Sequence, residues 1–371
     1  MQGLSNSRAL GELNVPVYVI DRFNCIARYS KYCNKFFRCP NYIGEDFISF
    51  LLEINKKYNL SGWALIPSND HALFNISKNK KILEKYYKII TDDFDVISNI
   101  YYKNNLLNIA RKLDIPLPLT YLPYNCLQQN IDIKFPVIIK GNEGLTFYKV
   151  FKKKVIICND INSLRNTLND ISQIINLENI LIQEVVETDN ICSFTCFAVK
   201  GEIKTFWLGG KIREHPLKFG TATYAKSISP NETKIYSEKL IKELNYTGVC
   251  EIEYLYDKND KTYKLIELNA RTWLWVGLAK YCGINYAKYI YNYLNEIPTN
   301  YPKEYKINIK WMNFWLDLIY IIVGLVKGKY QLDKIIKSFK GKVIIDLFKW
   351  NDPLPFIMMF FLLPYLKIKR N

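Results

Sequence analysis

Two short strings late in the chain constrain its fold more than any other feature of the sequence. They are Glu251-Ile252-Glu253-Tyr254 and Glu267-Leu268-Asn269-Ala270-Arg271. Alternate residues of a strand share a face, so each string presents two polar side chains on one side. In a hairpin closed around residue 260, Glu253 lies opposite Glu267. The same register sets Glu251 opposite Asn269, which predicts an antiparallel pair with three carboxylates on one patch.

Such a patch requires a cation, because like charges across a strand ladder repel each other. Oxygen ligands suit Mg²⁺, which binds one or two carboxylates together with substrate phosphates. The chain has only two His, which excludes a centre built mainly from histidines. The alternative is a one-sided hairpin whose acids face water. The apolar neighbours Val249, Leu255 and Leu265 favour a core position instead.

The first part of the chain alternates helices and strands. Residues 3–13 are typical of a helix, and residues 15–21 of a buried strand. Residues 46–59 have the pattern of an amphipathic helix, and a strand follows at 63–66. This alternation predicts an open parallel sheet whose ligands lie beyond the carboxyl ends of the strands. The pattern is that of a βαβ unit without its first strand, so we expect either a fold that lacks it or a start codon placed too far downstream.

Strands dominate the later part of the chain. An apolar strand over 135–140 ends in Lys140, and a helix over 103–113 ends before Ile115-Pro116-Leu117-Pro118, which indicates a domain boundary. We predict further strands over 180–186, 194–199 and 202–208. A helix is expected to begin at Ser229-Pro230, with Ser as N-cap and Pro in the first turn.

The chain resembles the ATP-grasp superfamily in four strings that occur in the expected order: FPVIIK at 135–140, ILIQEVVE at 180–187, GVCEIEYLYD at 248–257 and KLIELNARTW at 264–273. The string VPVYVID near the N-terminus and the late DPLP string look like the D-aspartate-ligase-like branch. The resemblance implies an α/β fold with a small open parallel-sheet domain over 1–115. A two-lobed ATP-grasp domain over 116–298, divided near 184–187, and a helical C-terminal extension over 299–371 follow.

The resemblance also implies how ATP is held. Lys140 contacts the phosphates, and Lys103 is the second phosphate lysine. Glu187 or Asp189 holds the ribose, and both remain open. The backbone atoms that read the adenine edge belong to Glu184, Val185 and Val186. A lysine at a strand end is a compact point charge suited to phosphate. For Lys103, the alternative is an ordinary lysine on a helix surface.

The metal and catalytic residues follow from the same resemblance. Glu253, Glu267 and Asn269 would hold one or two Mg²⁺ ions, with Glu267 bridging, and Mn²⁺ would fit the same ligands. Divalent ions that bridge phosphates neutralise the charge that develops during in-line transfer. Arg271 would act with Lys140 on the transferred phosphoryl group, because a guanidinium forks onto phosphate oxygens. The alternative for Arg271 is a structural ion pair.

A cation-rich string at residues 211–223 follows a strand. In the D-aspartate-ligase-like branch such a segment looks like the acceptor or carboxylate-binding loop, which suits an anionic substrate. The substrate candidates are Arg213, Lys218, Gly220, Thr221 and, from the first domain, Asp70. His215 is a further candidate, as a general base. The alternatives are a solvated surface loop and, for Asp70 with Ser68-Asn69, a simple helix cap.

Two features depart from the superfamily pattern. The loop after Lys140 has only two glycines, Gly141 and Gly144, whereas a phosphate-covering loop is usually richer in glycine. Glu251 stands where some relatives carry a substrate-facing arginine, so the amino-acid substrate of those relatives does not carry over directly.

The charge of the chain is concentrated near its end. The net charge is +16, and residues 299–371 hold 13 Lys plus Arg and 5 Asp plus Glu. The apolar segments 311–326 and 353–366 are shorter than the about 20 residues of a spanning helix. We expect either helices buried on the body of the protein or contact with an anionic membrane. A nucleic-acid partner is not expected, because the basic residues form no aromatic-interleaved strip.

Nine cysteines without a CxxC motif indicate reduced thiols in a cytoplasmic protein. The expected function is an ATP-dependent ligase for small-molecule carboxylate and amine substrates, in cell-envelope or surface-polymer modification. The alternative is a catalytically degenerate nucleotide-binding protein at an anionic membrane surface. The presence of Lys140, Glu267 and Arg271 argues against that alternative.

Overall fold

The structure, a computed structural model, describes residues 1–128, 131–188, 190–216, 219–328 and 330–370. Its N-terminal part contains two parallel strand pairs and several helices. The strands are β1 (Val17–Asp21), β2 (Cys33–Arg38), β3 (Trp63–Leu65) and β4 (Tyr87–Ile89). The helices are α1 (Gln2–Gly11), α2 (Glu45–Tyr58), α3 (Asp70–Lys78), α4 (Lys80–Leu83), α5 (Phe94–Tyr101) and α6 (Lys103–Lys112). β1 pairs with β2 and β3 with β4, both in parallel, so the predicted strand direction is confirmed.

The two pairs are not joined into one sheet. β1 and β3 both line a cavity of about 340 Å³, to which α1, α2 and α3 also contribute. The ring centroids of Tyr18 on β1 and Trp63 on β3 lie 4.6 Å apart. The single open sheet that the sequence predicts is therefore interrupted, because side chains and a cavity separate β1 from β3.

A four-stranded antiparallel sheet forms the next unit. Its strands are β5 (Thr120–Tyr121), β6 (Val137–Gly141), β7 (Val155–Cys158) and β8 (Ile180–Glu184), in the order β5-β8-β6-β7. The accompanying helices are α7 (Pro123–Leu127), α8 (Gly144–Phe151) and α9 (Ile161–Ser172). α9 begins with a capping box in which the Asp160 carboxylate accepts the Ser163 N–H at 2.8 Å. Its buried face, which includes Leu164 and Leu168, packs in one apolar cluster with Val137 of β6.

A seven-stranded sheet carries the second half of the chain. Its strands are β9 (Ile191–Val199), β10 (Glu202–His215), β11 (Thr221–Ser227), β12 (Gly248–Asp257), β13 (Thr262–Asn269), β14 (Lys310–Met312) and β15 (Val343–Ile344). The strand order is β13-β12-β9-β10-β11-β14-β15. The last two strands come from the segment expected to be a helical extension, so that segment also completes the sheet.

The remaining helices follow the sheet in sequence. They are α10 (Thr233–Glu243), α11 (Val276–Tyr281), α12 (Tyr286–Leu294), α13 (Phe314–Val326), α14 (Leu332–Ser338) and α15 (Leu354–Arg370). The predicted start of α10 at Ser229-Pro230 is wrong. The Asn231 side chain accepts the Thr233 N–H at 3.1 Å, and the local turn that this bond forms delays the helix until Thr233.

The two ends of the chain are tied together in the interior. The Arg8 side chain on α1 and that of Asp352, before α15, are 1% and 2% exposed and bond at 2.8 Å. Leu4, Leu347 and Met359 share an apolar cluster around this region. Among the described residues, no helix combines the length and apolar character needed to cross a membrane.

Candidate functional site

The carboxylate patch forms as the sequence predicts. β12 and β13 are antiparallel neighbours in which Glu253 pairs with Glu267 and Glu251 with Asn269, so the predicted register is confirmed. The Asn269 amide nitrogen lies 3.3 Å from a Glu251 oxygen and 3.4 Å from a Glu267 oxygen. A register shift follows Glu253, so that Tyr254 pairs with Leu265. Four oxygen-bearing side chains therefore converge on one face of the sheet.

Lys211, on β10, neutralises part of this patch. Its Nζ lies 2.6 Å from a Glu253 oxygen, and both side chains are largely buried. Burial opposes the charge of Lys211, but Glu253 and Glu251 outweigh it and raise the pKa of the lysine. Sequence reasoning included Lys211 in the cation-rich string but did not assign it to the carboxylate patch. The register of β10 shifts between Lys211 and Arg213, which breaks the simple alternation of faces on which such reasoning depends.

Glu251 lies in surroundings that are unfavourable for a charged carboxylate. Burial and the neighbouring charge of Glu253 raise its pKa to about 8, although Lys211 and Arg271 act in the opposite direction. Among the described residues, its Oε1 atom has no hydrogen-bond partner. A buried carboxylate oxygen without a partner is costly, so this corner of the site is suited to an additional donor or cation.

Two lysines face the patch from other elements. Lys140 lies on β6 of the four-stranded sheet and is 8% exposed. Burial and the charge of Lys103 lower the pKa of Lys140 to about 7, although Glu267 raises it. Lys103 begins α6, and its Nζ lies 3.9 Å from a Glu267 oxygen. Burial would raise the pKa of Glu267, but Lys103, Lys140 and Lys211 outweigh it and lower that pKa.

Arg271 follows β13 and reaches toward the N-terminal part of the chain. Its Nε and Nη2 atoms each lie 2.7 Å from an Asp70 oxygen, which makes a bidentate ion pair. Nη2 also donates to the side-chain oxygen Oδ1 of Asn269 at 3.3 Å. Burial favours a protonated Asp70, but the guanidinium overcomes this and lowers the pKa of Asp70. The structure thus brings the predicted catalytic arginine to the edge of the carboxylate patch, with one predicted substrate residue as its partner.

Asn69, just before Asp70, has the capping role that the sequence analysis gave as an alternative. Its side chain accepts the Ala72 N–H at 2.9 Å and begins α3. Asp70 itself is the first residue of the helix, where its carboxylate turns to Arg271.

The loop after Lys140 is fastened to α5 and α6. The Asn142 carbonyl accepts the Lys103 N–H at 3.2 Å, and its side chain accepts the Asn104 N–H at 2.9 Å. The Tyr101 hydroxyl donates to Glu143 at 2.7 Å. A Cβ on Gly144 would lie 3.6 Å from Lys103 Nζ. These backbone and side-chain hydrogen bonds thus hold the loop in place, although it contains fewer glycines than a phosphate-covering segment usually has.

The connection between the two sheets contains the residues predicted to read adenine. The Glu184 and Val185 N–H groups donate to the carbonyls of Leu119 and Pro136. The Glu184 carboxylate is buried and accepts from the Leu119 N–H at 3.0 Å and from Lys264 Nζ at 2.8 Å. The Glu184 side chain therefore joins the two sheets.

The remaining part of that connection carries the ribose candidates. Val186 is buried, and among the described residues its N–H has no backbone acceptor. Glu187 is exposed, as a ribose-binding acid would have to be. Asp189 lies outside the described residues, so the choice between Glu187 and Asp189 stays open.

The predicted substrate string forms the tip of the β10–β11 hairpin. The Arg213 guanidinium is buried and pairs with Asp317 of α13, with atom separations of 3.0 and 2.5 Å. These are the contacts of a structural ion pair. Thr221 begins β11 and is exposed. Gly220 is required by the turn, because a Cβ there would lie 2.1 Å from the Pro216 carbonyl oxygen. Lys218 lies outside the described residues.

His215 ends β10 and stacks on the ring of Tyr320. Burial lowers the pKa of His215. Among the described residues, none of its hydrogen bonds connects it to the carboxylate patch. Its proposed role as a general base therefore gains no support from its contacts.

The donor set fits Mg²⁺ with nucleotide phosphates. The candidates Glu253, Glu267 and Asn269 offer oxygen only, and the Glu251 oxygen without a partner lies beside them. In the described ranges, no group of three or more His, Cys, Asp or Glu side chains has the arrangement of a self-sufficient metal site.

Comparison with known proteins identifies the superfamily. A protein-family model described as the RimK-like ATP-grasp domain matches residues 107–294, about half of the chain. The D-aspartate ligase of Enterococcus faecium (strain Aus0004) is 23% identical over 250 residues, which are 64% of this chain and 58% of that protein. The chain thus spans less than two thirds of the length of that relative.

Solved structures show the same fold at low sequence identity. The L-amino acid ligase of Bacillus licheniformis is 14% identical with a TM-score of 0.60, covering 78% of this chain and 70% of that one. The biotin carboxylase domain of the Hydrogenobacter thermophilus 2-oxoglutarate carboxylase, solved with MgADP, is 15% identical with a TM-score of 0.63, covering 83% and 70%. The family match spans the four-stranded sheet and most of the carboxylate-bearing sheet. This chain belongs to the RimK-like ATP-grasp family.

Proposed function

We propose that this protein is an ATP-dependent ligase that activates a carboxylate as an acyl phosphate and joins it to an amine. One observation carries the proposal. Lys140 of β6 and Lys103 of α6, the two lysines proposed to bind phosphate, converge on Glu267 of the carboxylate patch. Cations and oxygen ligands in that arrangement match what a nucleotide triphosphate and its metal ion require.

In the proposed reaction, a carboxylate oxygen attacks the γ-phosphorus of ATP and the bond to the bridging oxygen breaks, which releases ADP. The amine nitrogen then attacks the acyl carbon, phosphate leaves, and the nitrogen loses a proton. Lys140 and Lys103 hold the phosphates, and Arg271 stabilises the transferred group. Glu253, Glu267 and Asn269 would hold Mg²⁺ or Mn²⁺, which would neutralise part of the phosphate charge.

The proposed division of labour follows the domains. Residues 1–115 and the β10–β11 hairpin meet the substrates. Residues 116–298 hold ATP between their lobes, with Lys103 of the first domain on the phosphates, and residues 299–371 are an extension. The names of the relatives, D-aspartate ligase and L-amino acid ligase, support an amino acid as one substrate. We assign the other substrate to cell-envelope or surface-polymer precursors in the cytoplasm.

A second candidate function is nucleotide binding without turnover at an anionic membrane surface. The observation in its favour is that Lys211 and Asp70 already engage Glu253 and Arg271 at 2.6 and 2.7 Å. The ligase requires these ion pairs to open or to be shared when substrates bind. Nucleotide binding alone does not require that change.

The test is a screen for ADP release. The purified protein, Mg²⁺ and ATP are incubated with paired carboxylates and amines, and products are identified by mass. The ligase predicts ADP release that requires both partners and a product whose mass is the sum of the partners less one water. ATP binding by calorimetry with no ADP release across the panel would favour the second candidate. Absence of both would contradict either function.

The low pKa of Lys140 gives a prediction that needs no substrate. In the free protein a pKa of about 7 leaves Lys140 mostly neutral at pH 8, and phosphates restore its charge. ATP binding at pH 8 should therefore take up about one proton per site. Affinity should fall as the pH rises above 7. Calorimetry in buffers of different ionisation enthalpy measures the uptake.

The matched control for this prediction is Lys140→Met. The variant should bind ATP more weakly and without the proton uptake at pH 8. A buffer-independent binding enthalpy in the unaltered protein would contradict the assignment of Lys140 to the phosphates.

A further inference from the structure

An exposed apolar stripe follows one side of α13. Ile319, Ile322, Val323 and Val326 are all exposed, at the i, i+3, i+4 and i+7 spacing that places side chains on one helix face. On the buried side of the same helix, Asp317 accepts from Arg213 of β10. α13 therefore packs on the sheet with one face and presents apolar side chains with the other.

A second stripe follows α15 and the residues before it. Its side chains recur every three or four residues, apart from one wider interval, and are exposed; they are Trp350, Leu354, Ile357, Phe361 and Ile368. Trp350 is 89% exposed and Phe361 is 63% exposed, which is unusual for large apolar side chains in a folded protein.

The N-terminal turns of α13 and α15 are in contact. Trp315 lies one turn before Ile319. Its ring centroid is 5.1 Å from that of Phe356 and 5.3 Å from that of Phe360. Its indole N–H donates to the Phe356 carbonyl at 3.0 Å. We call the combined surface the apolar face; it consists of Ile319, Ile322, Val323, Val326, Trp350, Leu354, Ile357, Phe361 and Ile368.

A lysine-rich stretch follows the apolar stripe of α13 along the chain. Residues 327–342, which connect α13 to β15, contain six lysines and one aspartate. Those that the structure describes are exposed; they are Lys327, Lys334, Lys337, Lys340 and Lys342. Asp333, the one acid in this stretch, pairs with Lys337 at 3.5 Å.

We propose that the apolar face and the adjacent lysines form a docking surface for an anionic membrane. Apolar side chains beside clustered lysines are what a protein needs to lie in the interface of a negatively charged bilayer. Association of two copies through this face would bring two lysine clusters together, which disfavours a dimer as its cover. The helices lie on the membrane in this arrangement and do not cross it.

The docking surface also has an orientation relative to the site. α13 contacts the β10–β11 hairpin through Asp317, which accepts from Arg213 and, at 2.7 Å, from Thr223. The hairpin and the apolar face thus lie on opposite sides of one helix, about 10 Å in diameter. A substrate anchored in the membrane would meet the site at this hairpin; this last step rests on the proposed function.

The test uses the whole 371-residue chain without ATP, so its outcome is independent of ligase activity. The protein is sedimented with phosphatidylcholine vesicles and with vesicles that also contain phosphatidylglycerol. We expect binding to the anionic vesicles that weakens with salt. The double variant Ile357→Ser/Phe361→Ser should bind about tenfold more weakly or worse, because each side chain loses apolar burial. The variant Lys334→Gln/Lys337→Gln should lose about fivefold per lysine.

The matched control is Leu122→Ser/Ile174→Ser, which removes two exposed apolar side chains from the four-stranded lobe. It should bind like the unaltered protein. Brominated lipids should quench a tryptophan signal that Trp350→Phe removes, because Trp350 is the most exposed of the described tryptophans. Circular dichroism checks that each variant is folded.

Three outcomes would overturn the proposal. They are no preference for anionic vesicles, equal loss of binding in the control variant, and a dimer in light scattering that Ile357→Ser/Phe361→Ser dissociates. The last result would show that a second copy covers the face. Deletion of residues 299–371 is a poor substitute for these variants, because it removes β14, β15 and the partner of Arg8.

Discussion

Replacement of Glu267 by Gln is expected to reduce ADP release about 10²–10³-fold or more while leaving the fold intact. The side chain keeps its shape but loses its negative charge. In the unaltered protein that charge balances Lys103 at 3.9 Å and offsets the repulsion between Lys103 and Lys140. A neutral amide is also a poorer ligand than a carboxylate for Mg²⁺. The measurement is ADP release at saturating ATP with the substrate pair that the screen identifies.

The control for this variant is Glu238→Gln, on the exposed surface of α10. It makes the same chemical change away from the site and should leave turnover unchanged. Thermal unfolding of both variants should resemble that of the unaltered protein. Normal turnover in Glu267→Gln would show that the carboxylate patch does not take part in phosphoryl transfer.

Replacement of Asp352 by Ala should lower the free energy of unfolding by about 3–5 kcal/mol. The carboxylate bonds Arg8 at 2.8 Å and Ser30 at 2.7 Å, and accepts the Lys31 N–H at 2.8 Å. Its loss leaves the guanidinium buried with only carbonyl partners, which include those of Leu347 and Asp352. Urea unfolding monitored by circular dichroism measures the change.

The matched control is Asp333→Ala, which breaks an exposed ion pair in the same segment. Such pairs contribute less than about 1 kcal/mol, so its unfolding curve should hardly move. A similarly small effect of Asp352→Ala would contradict the structural importance of the buried tie.

The buried ion pair between Arg8 and Asp352 also makes the stability of the fold depend on pH. Burial acts to raise the pKa of Asp352, but bonds from Ser30, Lys31 and Arg8 lower it below 3.8. A carboxylate whose pKa is lowered by folding stabilises the protein above its ordinary pKa. This contribution should be lost as the pH falls from about 4 through the lowered value. In Asp352→Ala, that part of the acid dependence should be absent.

The carboxylate register was predictable because it depends on local rules alone. Strand alternation and one assumed turn centre placed Glu253 opposite Glu267, which the structure confirms. The assumption was not correct along the whole hairpin. Near the turn, Asp257 pairs with Thr262, which centres the pairing half a residue before 260. The register shift after Glu253 compensates, so the prediction holds where the site is.

Long-range partners were not predictable in the same way. The sequence shows that Arg213 and Arg271 are cationic, but nothing local indicates Asp317 or Asp70 as partners. Arg213 and Asp317 are 104 positions apart, and Arg271 and Asp70 are 201 apart. Such pairs follow from tertiary packing, which strand alternation does not encode. The roles assigned to these residues therefore stay predictions.

The buried bond between Arg8 and Asp352 has a consequence for how the chain acquires its structure during synthesis. The two residues are 344 positions apart, so α1 emerges from the ribosome long before its carboxylate partner. Contacts of such sequence separation form late and slow the overall folding of a chain. The first helix therefore reaches its final, charge-balanced packing only after translation has passed residue 352.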